Sequence, residues 1–278
     1  MKKVQKGIII GPTKAGKTAL LASLAQACNA YGFRNQSRTI ALGLNDVMRS
    51  LFSQAIDIIA KGYIPFHATD NSSKYHFALE HQQQTYFWQK WTGIPQKRAE
   101  IIFMDGPGGA IFNQLNHLTE TNSQFQNLKN HFLESDILLL CIDAKELHKQ
   151  KQQRFYLDSL RFLLLRSYQT QVPCKRIAFV ITKIDTLNTQ KTQHLDAFQM
   201  VQQILGTQIL KDMMIFLHPK TQFCFTTTSV LGLDGTSPSN QDHWNPHQIF
   251  ETFAFLMLNQ HFDHQKIYSF TQLNRLLK

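Results

Sequence analysis

The sequence predicts an α/β fold in three layers: a mostly parallel sheet with one antiparallel strand, covered by helices on both faces. Three observations lead there. Short apolar runs of strand length alternate with helical patterns along most of the chain. Several of these runs, such as Ile101-Ile102-Phe103-Met104, are continuously apolar, as strands buried on both faces must be. One run, residues 74–80, alternates polar and apolar instead. It reads as a half-buried strand and takes the antiparallel place.

The elements follow in order. Gly7-Ile8-Ile9-Ile10 is the first strand, and a helix is expected over residues 17–31. Residues 38–42 form a strand. Asn45 then caps a helix carried by Val47, Leu51, Ala55, Ile58 and Ile59 and closing near Gly62. Residues 63–73 are loop, broken by Pro65. After the strand at 74–80, residues 100–104 and 136–142 are buried strands, with a helical stretch near 123–135 between them. A long basic amphipathic helix is expected over 145–168, a strand over 176–181 and a helix over 196–210. Residues 222–226 close the strand set. Residues 232–245, rich in Gly, Ser, Asn and Pro, are loop, and 247–262 is the last helix.

The chain of 278 residues, 43% hydrophobic, is read as one domain over 1–278 with a helical insertion at about residues 38–66. No apolar run approaches the roughly 18 residues a membrane span needs. The apolar stretch after the basic start is too short for a signal peptide. Cys28, Cys141, Cys174 and Cys224 lie far apart, which predicts neither zinc nor a disulfide frame and points to the cytoplasm. The net charge of +10 describes solubility and steering rather than a site.

The chemistry begins at Gly11-Pro12-Thr13-Lys14-Ala15-Gly16-Lys17-Thr18, followed by Ala19. This is the Walker A pattern, set between a strand and a helix as its mechanism requires. The glycines let backbone N–H groups turn toward a β-phosphate. Lys17 brings charge between the β- and γ-phosphates, Thr18 offers a hydroxyl to Mg²⁺, and the helix N-terminus adds partial positive charge. Asp105-Gly106-Pro107-Gly108 follows a buried strand, where a carboxylate supports Mg²⁺ and Gly108 offers an N–H to the γ-phosphate. Thr182-Lys183-Ile184-Asp185 follows another strand. Asp185 suits the N1–H and 2-amino donors of guanine, which adenine lacks. The Lys183 stem suits the base plane, and Thr182 would tie this loop to the phosphate loop. Thr227-Thr228-Ser229-Val230-Leu231-Gly232 offers N–H groups, at Ser229 and Val230, to the guanine carbonyl.

Together these four segments resemble the G-boxes of the translation-factor-like class of P-loop GTPases, over residues 8–232. The P-T-K-A-G-K-T loop, the insertion after the first helix and the P-x-x-A-T stretch are similar to bacterial stand-alone or double-GTPase-like proteins. The resemblance implies a G-domain that binds GTP or GDP with Mg²⁺, hydrolyses GTP and switches state. It requires a switch threonine between the first helix and the Asp105 strand. Thr69 fits as a Mg²⁺ ligand and γ-phosphate sensor, with Ser72 and Ser73 as competitors.

Two positions depart from the pattern. Gly109 stands where many small GTPases carry a water-orienting glutamine. Lys14 stands at the fourth loop position, where it acts either as an internal charge finger or as a solvated lysine. The readings kept open are a GTP hydrolase, a GTP-loaded interaction module with little turnover, and an ATP-dependent remodelling enzyme. Partners expected besides guanine nucleotide are a protein effector or regulator, with a homodimer or a partner-stimulated form also open. The basic helix at 145–168 is read as core-packed in preference to lying on an anionic membrane. Nothing pairs the positive charge with a nucleic-acid signature.

Overall fold

The computed structural model describes residues 4–12, 14–60, 73–82, 97–105, 130–131, 133–146, 174–187, 196–215, 217–232, 246–263 and 265–277. Among these, the strands are β1 (Gln5–Ile10), β2 (Arg38–Gly43), β3 (Ser73–Gln82), β4 (Lys97–Asp105), β5 (Ile137–Asp143), β6 (Arg176–Thr182), β7 (Gln222–Thr227) and β8 (Lys266–Ser269). The helices are α1 (Lys17–Ala22), α2 (Leu24–Arg34), α3 (Asp46–Ala60), α4 (Ala197–Leu205), α5 (Thr207–Ile215), α6 (Ile249–Leu258) and α7 (Phe270–Leu276). One sheet runs in the order β2-β3-β4-β1-β5-β6-β7-β8.

The inner strands β4, β1, β5, β6 and β7 pair in parallel. Their continuous apolar runs are explained by burial on both faces. Ile8, Ile10, Leu138, Leu140, Ile177, Phe179 and Phe225 face α4, α5 and α7. Ile9, Leu139, Cys141, Ala178 and Val180 face α1, α2, α3 and α6. The three-layer arrangement expected from the sequence is thus present. β3 runs antiparallel between β2 and β4, as expected, but it is more than half buried, since Ala78 and Glu80 are covered as well as Phe77 and Leu79. β8 adds a second antiparallel strand at the far edge, against β7. The sequence reading closed the strand set at β7. A four-residue strand that is only half buried leaves too little apolar periodicity to be noticed.

Local chemistry sets several boundaries. Asn45 Oδ1 accepts from Met48 N at 3.0 Å and so caps α3, while its Nδ2 donates to the Lys74 carbonyl at 2.8 Å. One residue therefore both starts α3 and clips it to β3. The first helix, expected unbroken over 17–31, is divided at Ser23. Its hydroxyl donates to the Ala19 and Leu20 carbonyls at 2.9 and 3.1 Å, competing with the helical ladder. Gly206, at φ 82°, divides the helix expected over 196–210 into α4 and α5. Asp196 and Gln199 form a capping box at the start of α4.

α6 differs from the other helices in being buried all round, as Ile249, Phe250, Phe253, Phe255 and Leu256 show. Phe253 meets Phe77 of β3 and Phe103 of β4 edge-on, both at 5.9 Å between ring centres. α6 starts two residues later than expected and ends at Leu258, four residues earlier than expected, with left-handed Gln248 and Asn259 flanking it. No helix among the described residues is long and apolar enough to cross a membrane. Of the helix expected over 145–168 only Lys145 and Glu146 are described, and they belong to the 3-10 turn Ala144–Glu146. The rest of that helix lies outside the described residues.

Candidate functional site

The carboxyl ends of the parallel strands gather the loops singled out in the sequence. β1 lies between β4 and β5 and delivers the chain into the phosphate loop at the centre of the sheet. Gly11 is buried there. A Cβ at this position would sit 2.7 Å from the Cys141 carbonyl oxygen of β5 and 3.3 Å from Ala15 Cβ. Only a residue without a side chain lets the loop leave the sheet along this path. Ala15 N closes the turn onto the Pro12 carbonyl at 3.1 Å. Lys14 and Gly16 both take positive φ, 68° and 81°, and Gly16 ends in the left-handed conformation at the start of α1. The N-terminal N–H groups of α1 thus open onto the cradle with no side-chain cap. Lys17 is buried, and its ammonium donates to the Gly11 and Pro12 carbonyls at 3.0 and 3.3 Å, folding back over the loop. Thr18 and Ala19 are half-buried in the first turn of α1.

The second loop follows β6. Thr182 Oγ1, buried, donates to the Ala15 carbonyl at 2.8 Å and lies 3.2 Å from the Ile142 carbonyl. Lys183 turns into the left-handed region at φ 58°. Its ammonium donates to the Lys14 carbonyl at 2.5 Å and to Asp143 Oδ2 at 2.5 Å. Residues more than 160 apart in sequence are thereby joined, and the two loops form the walls of one site. Asp185 sits in the following 3-10 turn, Ile184–Thr186, half-buried.

The third loop meets the second. Ile184 N donates to the Thr228 carbonyl at 3.2 Å, and Thr228 N to the Ile181 carbonyl at 2.7 Å. Ser229 Oγ donates to Asp185 Oδ1 at 2.5 Å, fixing one carboxylate oxygen. Ser229 is in turn bridged to His247, ahead of α6, while Val230 packs against the core. Asp105 ends β4, in register with Ile9 of β1 and therefore beside the entrance to the phosphate loop. Thr13, Thr69, Gly108 and Gly109 lie outside the described residues, as do the rival candidate Ser72 and residues 233–245.

Sequence reasoning missed two participants. Asp143 closes the fully buried strand β5 and pairs with Lys183. Its signal was available: an aspartate at the carboxyl end of an inner strand, the same criterion that singled out Asp105. His247 is a different case. It meets the Ser229 loop through the backbone, with Nε2 3.5 Å from Thr227 Oγ1, and nothing in its sequence neighbourhood marks it.

A sheet whose central strand enters a glycine-bounded loop and helix, with a lysine–aspartate loop closing the site from the next strands, defines a P-loop GTPase of the translation-factor-like class, a GTP-binding protein. Within that class the chain belongs to the Double-GTPase 2 family, whose model matches residues 8–223. Among curated proteins none matches at a significant level. Solved structures with a similar arrangement include the signal recognition particle receptor SRb in its GTP/SRX complex from Chaetomium thermophilum. That match has 16% identity, covers 88% of this chain and 97% of the other, and has a TM-score of 0.45. Era Y63A from Aquifex aeolicus bound to GDP·AlF4⁻ matches at 18% identity over 96% of this chain and 62% of its own, with a TM-score of 0.38.

Proposed function

We propose that this chain is a Mg²⁺-dependent GTPase that hydrolyses GTP to GDP and phosphate and acts as a molecular switch. The observation that carries the proposal is the Lys183 ammonium seated on the Lys14 carbonyl. It sets a base-reading loop and a phosphate-wrapping loop side by side, as one nucleotide held by both requires. The cradle suits a polyanion, because the first N–H groups of α1 carry no side-chain cap and the Lys17 ammonium lies on the loop's own Gly11 and Pro12 carbonyls.

Each residue then has a task. Gly11, Pro12, Thr13, Ala15, Gly16 and Ala19 shape the backbone around the phosphates, and Lys17 neutralises the β- and γ-phosphates. Thr18, Asp105 and Thr69 supply hard oxygen donors of the kind Mg²⁺ takes. When bound, the ion offsets charge on the β- and γ-phosphate oxygens. Gly108 senses the γ-phosphate. Lys183 covers the base, Asp185 accepts from the guanine edge, and Ser229 and Val230 donate backbone N–H groups to the guanine carbonyl. Thr182 holds the two loops together.

Water attacks the γ-phosphorus in line, and the bond to the β–γ bridging oxygen breaks. The water protons end on the phosphate product. Catalysis rests on positioning and charge. Exposure and a left-handed backbone on the rim of the loop support the reading of Lys14 as an internal charge finger. We read residues 1–278 as one GTPase domain with an insertion at about 38–66, acting in the cytoplasm with a protein effector or regulator. The four free, buried cysteines support a reducing compartment.

Gly109 favours a second reading, a GTP-loaded interaction module with little turnover, since it has no side chain to orient water. Multiple-turnover phosphate release separates the two. Sustained release by the isolated chain supports the GTPase. GTP bound tightly and released intact, with or without lipid or dimer-promoting conditions, supports the module.

A further inference from the structure

We propose that Asp143 is a positioning residue for nucleotide binding, acting through Lys183. The inference rests on the GTP-binding reading and adds to it a residue outside the four motif segments.

The geometry is specific. Asp143 is the last residue of β5 and stands in register with Thr182, the last residue of β6. Its carboxylate is almost wholly buried and both oxygens are engaged. Oδ1 accepts from Lys145 N at 2.9 Å, which fixes the turn leaving β5. Oδ2 accepts from the Lys183 ammonium at 2.5 Å. The same ammonium donates to the Lys14 carbonyl. The Lys183 side chain is thus held at its far end by two acceptors on different loops, and its stem passes the start of α1, with Cε 3.9 Å from where a Cβ on Gly16 would lie.

A lysine side chain that must lie flat against a base loses considerable rotamer freedom when it does so. Here that freedom is already removed, because Asp143 pins the ammonium and leaves only the aliphatic stem facing the site. The ammonium is also drawn toward a buried carboxylate, so its charge is compensated where it crosses from solvent into the sheet end. Asp143 therefore prepares the base platform and, through the Lys183 ammonium it shares with the Lys14 carbonyl, couples it to the phosphate loop. Its carboxylate is committed to Lys145 N and the Lys183 ammonium, so it should affect how long a nucleotide stays and leave the choice of base to Asp185.

The test is stopped-flow release of fluorescently labelled GDP and IDP from the full chain with Mg²⁺, in the wild type, D143N, D143E, K183M and D143N/K183M. D143N is expected to speed release of both nucleotides by about tenfold, the scale of one charge-assisted hydrogen bond. D143E should recover part of that loss. The ratio of GDP to IDP rates should stay at its wild-type value. Adding D143N to K183M should speed release no further, and should raise the melting temperature of K183M by removing an unpaired buried carboxylate. Wild-type release rates in D143N, or multiplicative effects in the double variant, overturn the inference. A wild-type chain that fails to retain labelled GDP overturns the underlying reading instead, so the two failures are distinct. If D143N does not fold, the comparison of K183M with D143E and D143E/K183M decides in the same way.

Discussion

Gly11→Ala gives a quantitative test of the phosphate loop. The added Cβ would lie 2.7 Å from the Cys141 carbonyl oxygen and 3.1 Å from Cys141 Cβ. Ordinary contact begins near 3.4 Å, so something must move by about 0.7 Å. Cys141 cannot do so cheaply. It lies inside β5, in register with Val180 of β6, and its side chain is fully buried. The displacement therefore falls on the loop. Overpacking of this kind costs about 1–3 kcal/mol. If the nucleotide must be met by the displaced loop, affinity for GDP falls by about 5- to 150-fold. Gly206→Ala is the control. A Cβ there meets nothing within 4 Å, and its φ of 82° brings backbone strain alone, in a turn between α4 and α5. It should lower the melting temperature and leave GDP affinity unchanged. Isothermal titration with GDP, paired with thermal melting, reads both. Wild-type GDP affinity in Gly11→Ala would refute the placement of phosphates against this loop.

Two further predictions concern charge. Lys14→Ala is expected to slow single-turnover hydrolysis by about 10²-fold while lowering GTP affinity by no more than about tenfold. Equal losses in rate and affinity would leave Lys14 as a binding charge only. The other concerns His131, whose ring Nε2 donates to the Gly7 carbonyl of β1 at 2.8 Å. Burial holds its pKa below the ordinary value, against the raising effect of that hydrogen bond, and Lys6 and Lys74 nearby depress it further. Below about pH 6.5 the unfolded chain binds a proton that the native site resists, so stability is full above neutrality and falls as pH drops. His131→Gln keeps an N–H for the Gly7 carbonyl and does not titrate. Its melting temperature should change less between about pH 7.5 and about pH 5.5 than that of the wild type. Parallel curves would show that His131 does not carry this term, leaving it to groups such as His81, whose pKa burial also lowers.

Much of this architecture is legible in the sequence because burial on both faces leaves an unmistakable mark. β1, β4, β5 and β6 were visible as unbroken apolar runs, and the same logic located the loops at their carboxyl ends. Boundaries shifted where a single side chain or glycine intervened, at Ser23 and Gly206. β8 and α7 escaped because short edge elements carry little periodic apolar content; Leu273 is the one residue of α7 buried in the core. Within the site, motif spacing identified Lys17, Thr182, Lys183 and Asp185. It could not show that Lys183 reaches both Lys14 and Asp143, since those contacts depend on the register of β5 against β6 and on the left-handed turn at Lys183. His247 was invisible for a related reason: it acts on Ser229 through main-chain hydrogen bonds, which any residue supplies.

The central claim is that one ligand is held by both loops, its phosphates against β1–α1 and its purine edge against Asp185. Competition for fluorescent GDP tests it most directly. Unlabelled GDP and GTP should displace the probe at similar concentrations. ATP, whose adenine offers the Asp185 carboxylate neither an N1–H nor a 2-amino group, should need at least about 10³-fold more. Asp185→Ala should erase most of that preference while Lys17→Ala weakens all three nucleotides alike. Displacement by ATP as effective as by GTP, or an unchanged preference in Asp185→Ala, would contradict the account.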